Sequence, residues 1–308
     1  MKPKLSGVFA ALITPLDDRG SVDYCTFERL IDFLIERGVD GVAVGGATGE
    51  YPHFDIEERK KLISRAARRL AGGKALLAGI GTSSIYTTLQ LGEHAVQSGC
   101  RALLVPMPHF FQYEQHDLAA YCQTVSRTLR APCLLYNLPS FTNGLQCETS
   151  IQLLQAEENL IGIKDSGSDR RSLARLAQAN GQGCFSLLVG NDSLLLDALN
   201  AGWDGVISGI AGFLPELTVS LYRNFRAGEH QAARNCQTLL DGVIEEVVKL
   251  PIPWAIRVGL DMRGLPNGPF HVPLSAVRKH RIEELHAWFS QWLPEHIPAL
   301  RNEPTGKP

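Results

Sequence analysis

The sequence predicts an α/β fold, a (β/α)₈ TIM barrel with a C-terminal helical extension. Three observations predict it. Eight short, β-rich apolar runs alternate with helix-length amphipathic segments of roughly 10–17 residues, the spacing of βα repeats. No Gly-rich dinucleotide fingerprint follows the first run, as a doubly wound sheet would usually show. The strand rhythm stops near residue 227, after which helix-like segments dominate. The barrel is therefore expected over residues 1–226, with an extension packed on it over 227–308.

The runs, in order, are Gly7–Thr14, Gly41–Val44, Ala75–Ile80, Ala102–Val105, Cys133–Tyr136, Leu160–Lys164, Phe185–Val189 and Gly205–Ser208. Leu76-Leu77-Ala78-Gly79-Ile80 is almost continuously apolar, which suits a parallel strand covered on both faces. Asp55 followed by Glu58 reads as a capping-box-like start for a helix over Ile56–Leu70, and Gly72-Gly73 ends it. Gly38, Gly99 and Gly202 fall where a helix hands over to the next strand. A proline-rich patch runs from Pro251 to Pro273. Residues Asn302 to Pro308 read as a frayed tail.

Composition narrows the function. The chain has 308 residues, is 44% hydrophobic and 20% charged, and carries a formal net charge of −2. Nothing there draws it to nucleic acid or to an anionic membrane. Its seven cysteines are scattered, with no C-x-x-C pair, against a disulfide framework or a zinc ribbon. Cys133 and Cys184 sit in apolar runs and are expected to be buried. The apolar stretch Val8 to Ile13 is too short to span a membrane, and no small-residue cleavage site precedes Asp17 and Asp18. Cytoplasmic residence is the default expectation. Walker, nucleophile-elbow and zincin motifs are absent from the sequence.

In such a barrel, chemistry collects at the carboxyl ends of the strands. Those ends present Thr48 and Glu50, then Tyr136 and Asn137, Lys164 and Asp165, Asp192, and Ser208. Lys164 stands out because it closes the apolar run Leu160-Ile161-Gly162-Ile163, where a solvated lysine is not expected. Desolvation there favours the neutral amine, which attacks a ketone to form an imine, an electron sink for C–C cleavage. An ion pair with Asp165 or another strand-end carboxylate that merely stabilises the barrel accounts for the same lysine equally well. Tyr136 ends the adjacent strand and suits proton transfer beside that amine, or a simple cap with its hydroxyl in water. The loop Gly45-Gly46-Ala47-Thr48-Gly49-Glu50 allows backbone N–H groups to converge on a carboxylate, although a tight βα turn explains its glycines as well.

Five motifs in order carry a resemblance: Gly-x-x-Gly-Glu ending at Glu50, Tyr136-Asn137-x-Pro139, Gly162-Ile163-Lys164-Asp165-Ser166, Val189-Gly190-Asn191-Asp192 and Gly205-Val206-Ile207-Ser208-Gly209. Together they resemble the dihydrodipicolinate synthase/N-acetylneuraminate lyase family of class I aldolases, from about Gly7 to Pro273. The resemblance implies that Lys164 forms an imine with pyruvate or another 2-keto acid and that Tyr136 is the general acid/base. It implies that Ala47 and Thr48 hold the keto-acid carboxylate, and that Ile207, Ser208 and Gly209 line the same pocket. No metal and no cofactor beyond the covalent imine is implied, and a homotetramer is expected.

Departures from the family pattern are equally specific. Ala47 stands where a Ser or Thr hydroxyl usually links the catalytic Tyr to a second Tyr from a neighbouring subunit. That second Tyr is replaced by Phe110, or by His109 if the register slips by one. Both members of the relay are missing, so a changed proton route is expected. Phe141 occupies the position where dihydrodipicolinate synthases carry an Arg for the second substrate's carboxylate, so a bidentate anchor is lost. The stretch Tyr136 to Thr142 is similar to that of 2-keto-3-deoxy sugar acid aldolases, with Thr142, Asn143 and Asp192 as candidates to read substrate hydroxyls. Three alternatives remain open: a dihydrodipicolinate synthase or a keto-deoxy acid dehydratase through the same imine, a metal-dependent aldolase using Glu50, Asp165 and Asp192, and a non-catalytic keto-acid-binding relative.

Overall fold

The computed structural model describes residues 2–71, 73–181 and 183–297; Gly72 and the tail from Asn302 lie outside them. Eight parallel strands close into a barrel in sequence order. They are β1 (Gly7–Ala11), β2 (Gly41–Val44), β3 (Ala75–Gly79), β4 (Ala102–Pro106), β5 (Cys133–Asn137), β6 (Leu160–Asp165), β7 (Ser186–Val189) and β8 (Gly205–Ser208). The helices that follow them are α1 (Tyr24–Glu36), α2 (Ile56–Arg69), α3 (Ile85–Gln97), α4 (Gln115–Leu129), α5 (Cys147–Ala156), α6 (Arg170–Ala179), α7 (Leu195–Asn200) and α8 (Pro215–Arg226). Three more, α9 (His230–Val247), α10 (Ile252–Asp261) and α11 (Ala276–His296), complete the described chain.

Alternation along each strand divides the core in two. Phe9, Leu77, Leu104, Leu134 and Leu188 fill the barrel interior. Val8, Val42, Leu103, Leu135 and Leu187 face outward into the layer beneath the helices. All strands are buried on both faces, which is why their sequences read as near-continuous apolar runs. Gly38, Gly99 and Gly202 have φ of +85°, +81° and +91°. That left-handed conformation reverses the chain from helix to strand, and a side chain there would be strained.

One irregularity governs the mouth of the barrel. Cys133 pairs with Leu160, but the next residue of β5, Leu134, pairs with Gly162, so Ile161 has no partner in the β5–β6 register. Ile161 itself faces the interior. Without the extra residue, Ile163 would share its face and Lys164 would point outward among the helices. With it, Ile163 faces outward, while Lys164 stands beside Tyr136 in register.

Several local expectations need correction. Cys133 is buried but Cys184 is exposed, because it precedes β7 in the turn rather than lying on the strand. Asp55 caps α2 by accepting the Glu58 N–H at 2.8 Å. The Glu58 carboxylate does not return the favour and instead accepts from Tyr24 Oη and Lys61 Nζ. The patch from Pro251 to Pro273 contains α10, with Pro253 in its first turn, where a missing N–H is tolerated. Among the described residues no helix is long and apolar enough to cross a membrane.

Gly162 is the position where the slipped register leaves no room. A Cβ there would lie 2.2 Å from the Ser186 carbonyl oxygen on β7. Gly162→Ala is expected to lower the stability measured by urea denaturation by about 1–3 kcal/mol, the usual cost of overpacking.

Candidate active site

The strand ends open into a cavity of about 600 Å³. Eight of the nine candidate residues line it: Ala47, Thr48, Tyr136, Phe141, Lys164, Asp192, Ile207 and Gly209. Lys164 is 4% exposed, and its Nζ lies 4.2 Å from the centre of the Tyr136 ring. Gly190 makes space for the lysine, since a Cβ there would approach Lys164 Cε to 2.9 Å and Ser166 Oγ to 2.1 Å. Asp165 is not the partner of Lys164. Its carboxylate accepts from the Gly167 N–H at 2.8 Å and from Asn137 Nδ2 at 3.1 Å, while Asn137 Oδ1 accepts the Leu145 N–H. The Asp165–Asn137 pair therefore fixes the loops after β5 and β6. Burial raises the Asp165 pKa, opposed by those two hydrogen bonds.

Ser208 is the ninth residue, and it does not face the cavity. Fully buried, it donates its hydroxyl to Asp192 and accepts the Ala211 N–H at 2.8 Å. It orients Asp192, which does line the cavity. Burial raises the Asp192 pKa to about 6, against the opposing pull of the Ser208 hydroxyl, the Ile210 and Gly209 backbone and the Lys164 charge. From the extension, Gln237 on α9 donates to the Asp192 carbonyl at 3.2 Å. Thr142 and Asn143 do not reach the cavity as hydroxyl readers. The Thr142 hydroxyl donates to the Leu138 and Asn143 carbonyls. Asn143 Nδ2 donates to the Pro108 and Phe111 carbonyls, and its Oδ1 accepts from Tyr113 N. These side chains are consumed in holding the loop.

Glu50 is likewise occupied. Its carboxylate pairs with Arg257 of α10, whose Nε and Nη2 approach Oε2 at 3.2 and 3.0 Å, both side chains being buried. The same guanidinium donates to the Thr14 and Asn267 carbonyls, and Thr14 Oγ1 donates to the Gly49 carbonyl. Loop 45–50 is thereby fastened from behind, presenting Ala47 and Thr48 to the cavity. No acceptor among the described residues takes the Ala47 or Thr48 N–H, so both donors are available to a ligand. Glu50, Asp165 and Asp192 each have separate protein donors, and among the described residues no three His, Cys, Asp or Glu side chains converge.

Tyr51, His53, His109 and Trp254 also line the cavity, and Arg257 and Gln237 hold it together. Arg257 carries the same signature that marks Lys164, a cation inside an apolar run (Ala255-Ile256-Arg257-Val258). No comparable pattern marks Tyr51 or Gln237, whose positions depend on tertiary packing.

The sequence pattern of the dihydrodipicolinate synthetase family matches residues 4–292. The chain belongs to this family. It is a lyase of the class I aldolase type, a group that works through a lysine Schiff base with pyruvate and needs no cofactor. It is 30% identical to the N-acetylneuraminate lyase of Rhizobium meliloti over 276 residues, covering 90% of this chain and 91% of that one. It is 26% identical to the 4-hydroxy-tetrahydrodipicolinate synthase of Oceanobacillus iheyensis, with 92% and 96% covered. A prophage protein of the dihydrodipicolinic acid synthase family from E. coli K12, solved in complex with pyruvate, superposes with a TM-score of 0.88 at 27% identity, covering 94% of this lyase and 98% of that chain.

Two outcomes are expected of this lyase. Removing the cation in Arg257→Ala strands Glu50 in the interior and lowers stability by about 3–5 kcal/mol in urea denaturation. Asp192 has a raised folded-state pKa, so its contribution to stability is present below the unfolded value and lost as pH rises through about 6. Asp192→Asn is therefore expected to be more stable than the parent at pH 8, by up to about 3 kcal/mol. Most of that difference vanishes at pH 4.

Proposed function

We propose that this lyase reversibly cleaves a 2-keto-3-deoxy sugar acid to pyruvate and a neutral aldehyde through an imine on Lys164. The observation that carries the reading is Lys164 at 4.2 Å from the Tyr136 ring, in a cavity with no other Lys or Arg in its lining among the described residues. The lysine amine adds to the keto carbon, and loss of water gives the protonated imine. Tyr136 moves the protons that turn the carbinolamine into the imine and, once the imine has formed, takes the proton of the hydroxyl beside the breaking bond. The unpaired N–H groups of Ala47 and Thr48, with the Thr48 hydroxyl, suit the keto-acid carboxylate. Ile207 and Gly209 pack the same end, and Ser208 acts through Asp192.

Past the imine the described lining carries hydroxyls, amides and the Asp192 carboxylate but no cation. Ser140, Ser166, Ser168 and Asn191 offer hydrogen bonds, and Asp192 accepts from a hydroxyl when ionised. Phe141, 65% exposed at the rim, supplies apolar area and no charge. A polyhydroxylated, uncharged acceptor matches this wall better than a carboxylated or phosphorylated one. The names of curated relatives favour a second reading, a synthase joining pyruvate to aspartate semialdehyde. That reaction lacks a cation here for the second carboxylate.

Assembly as a homotetramer is part of the proposal. Phe110 and Phe111 are 83% and 63% exposed, and Phe110 holds φ of +82°, a conformation disfavoured for a bulky residue. A neighbouring copy covering this pair accounts for both features.

Borohydride reduction in the presence of pyruvate is expected to give a covalent adduct mapping to Lys164 and absent from Lys164→Ala. A steady-state screen is expected to show pyruvate release from neutral keto-deoxy sugar acids, with aspartate semialdehyde condensation slower by roughly a hundredfold or more, the scale of losing a charged anchor. Efficient condensation would establish the second reading. Dehydration without pyruvate release would make the protein a dehydratase, and pyruvate binding without turnover would make it a binding protein.

A further inference from the structure

Ala47 and Phe110 remove both hydroxyls through which a catalytic tyrosine in this family would exchange its proton with a neighbouring subunit. Ala47 has no proton to pass, and Phe110 does not line the cavity. Tyr136 is 2% exposed, so it needs some other connection to solvent to regain or release a proton on each turnover.

A different set of groups reaches from the cavity to the surface within one chain. Tyr51, in the short turn after the β2 loop, and His109, in the loop after β4, line the cavity with Tyr136. Tyr51 Oη lies 3.5 Å from His109 Nδ1, and His109 Nε2 lies 3.0 Å from the hydroxyl of Ser83, an exposed residue. The Tyr51 and His109 rings meet edge to face at 6.1 Å. Arg59 lies over the Tyr51 ring at 4.9 Å and is held there by the Gly79 and Gly81 carbonyls. Its buried Nε has no hydrogen-bond partner, and the guanidinium stands over the ring as a cation–π partner. Burial raises the Tyr51 pKa, while Arg59 lowers it and the nearby Tyr136 raises it, so the two phenols sense each other across the cavity.

We propose that Tyr51, His109 and Ser83 form a proton path within one subunit that connects Tyr136 to solvent in place of the missing intersubunit relay. The step balances without any added reactant. When Tyr136 takes a proton from the substrate-derived imine, that proton crosses the cavity to Tyr51, by way of water or a substrate hydroxyl. Tyr51 releases its own proton to the lone pair on His109 Nδ1, and the proton on Nε2 leaves through Ser83 to bulk water. The reverse sequence reprotonates the enamine. Imidazole suits this place because it accepts on one nitrogen while donating from the other. The 3.5 Å contact lies at the outer limit of a hydrogen bond, as is common before substrate is bound. Tyr51 and His109 act through Tyr136 and position its proton.

This inference rests on the imine reading, and the test separates the two. Pyruvate is incubated with the full-length enzyme in D₂O. Exchange at its methyl carbon is followed by proton NMR, and the adduct formed at equilibrium is trapped with borohydride. His109→Gln and Tyr51→Phe are expected to trap as much adduct as the parent, with exchange and kcat slower by roughly tenfold or more and KM for pyruvate within about twofold. Added imidazole is expected to restore exchange in His109→Ala. Unchanged exchange in both His109→Gln and Tyr51→Phe would overturn the path. So would a parallel loss of adduct and exchange that imidazole does not restore, since that pattern belongs to a structural role. Absence of adduct in the parent enzyme would instead overturn the imine reading, and this path with it.

Discussion

Ile161 decides where Lys164 points, and the arrangement of the barrel mouth follows from that direction. In parallel strands a one-residue slip exchanges the two faces. Here the slip occurs three residues before the lysine, between the Cys133–Leu160 and Leu134–Gly162 pairs. The gain is an amine beside Tyr136 at the end of a strand buried on both faces. The cost is an extra interior side chain and a position, Gly162, that tolerates no Cβ. Gly190 makes a matching concession just past the end of β7, leaving space for the lysine stem. The lysine is thus placed by backbone geometry and by glycines.

The extension supports the mouth from outside. Arg257 on α10 holds loop 45–50 through Glu50, and Gln237 on α9 reaches the Asp192 carbonyl. A buried pair of this kind contributes little net stability compared with apolar packing, because desolvation offsets most of the attraction. What it supplies is direction. The guanidinium has carbonyl acceptors at Thr14 and Asn267 as well as Glu50, so loop and helix meet in one arrangement only. The serine at the end of β8 plays a similar part, using both hydrogen-bonding capacities of its hydroxyl between Asp192 and Ala211.

The barrel was largely legible because each strand is short, apolar and bounded by glycine, and strand positions differ from those read in the sequence by only a few residues. Lys164 was legible as a cation in an apolar run. Its direction was not, because Leu160-Ile161-Gly162-Ile163 reads as an unbroken strand whether or not one residue is left unpaired. The distinction between Asp192 and Ser208 was also hidden. Ser208 ends β8 and Asp192 lies in the turn just past β7, and only tertiary contact shows that Asp192 faces the cavity while Ser208 holds it. Thr142 and Asn143 carry suitable hydrogen-bonding groups, but loop geometry turns those groups onto backbone carbonyls. Arg257 obeys the same rule as Lys164, but it lies on a helix far in sequence from any strand end, and only the fold brings it to Glu50.

The Glu50–Arg257 contact joins residues 207 positions apart. During synthesis all eight strands leave the ribosome well before α10 does. A nascent chain can therefore close its barrel while the loop bearing Ala47 and Thr48 still lacks its support, and Glu50 has no cation to meet. Fastening of that loop through Glu50 waits for the guanidinium of α10. A fragment ending after β8 would retain Lys164 and Tyr136 on their strands, yet hold loop 45–50 through Thr14 without the guanidinium of Arg257.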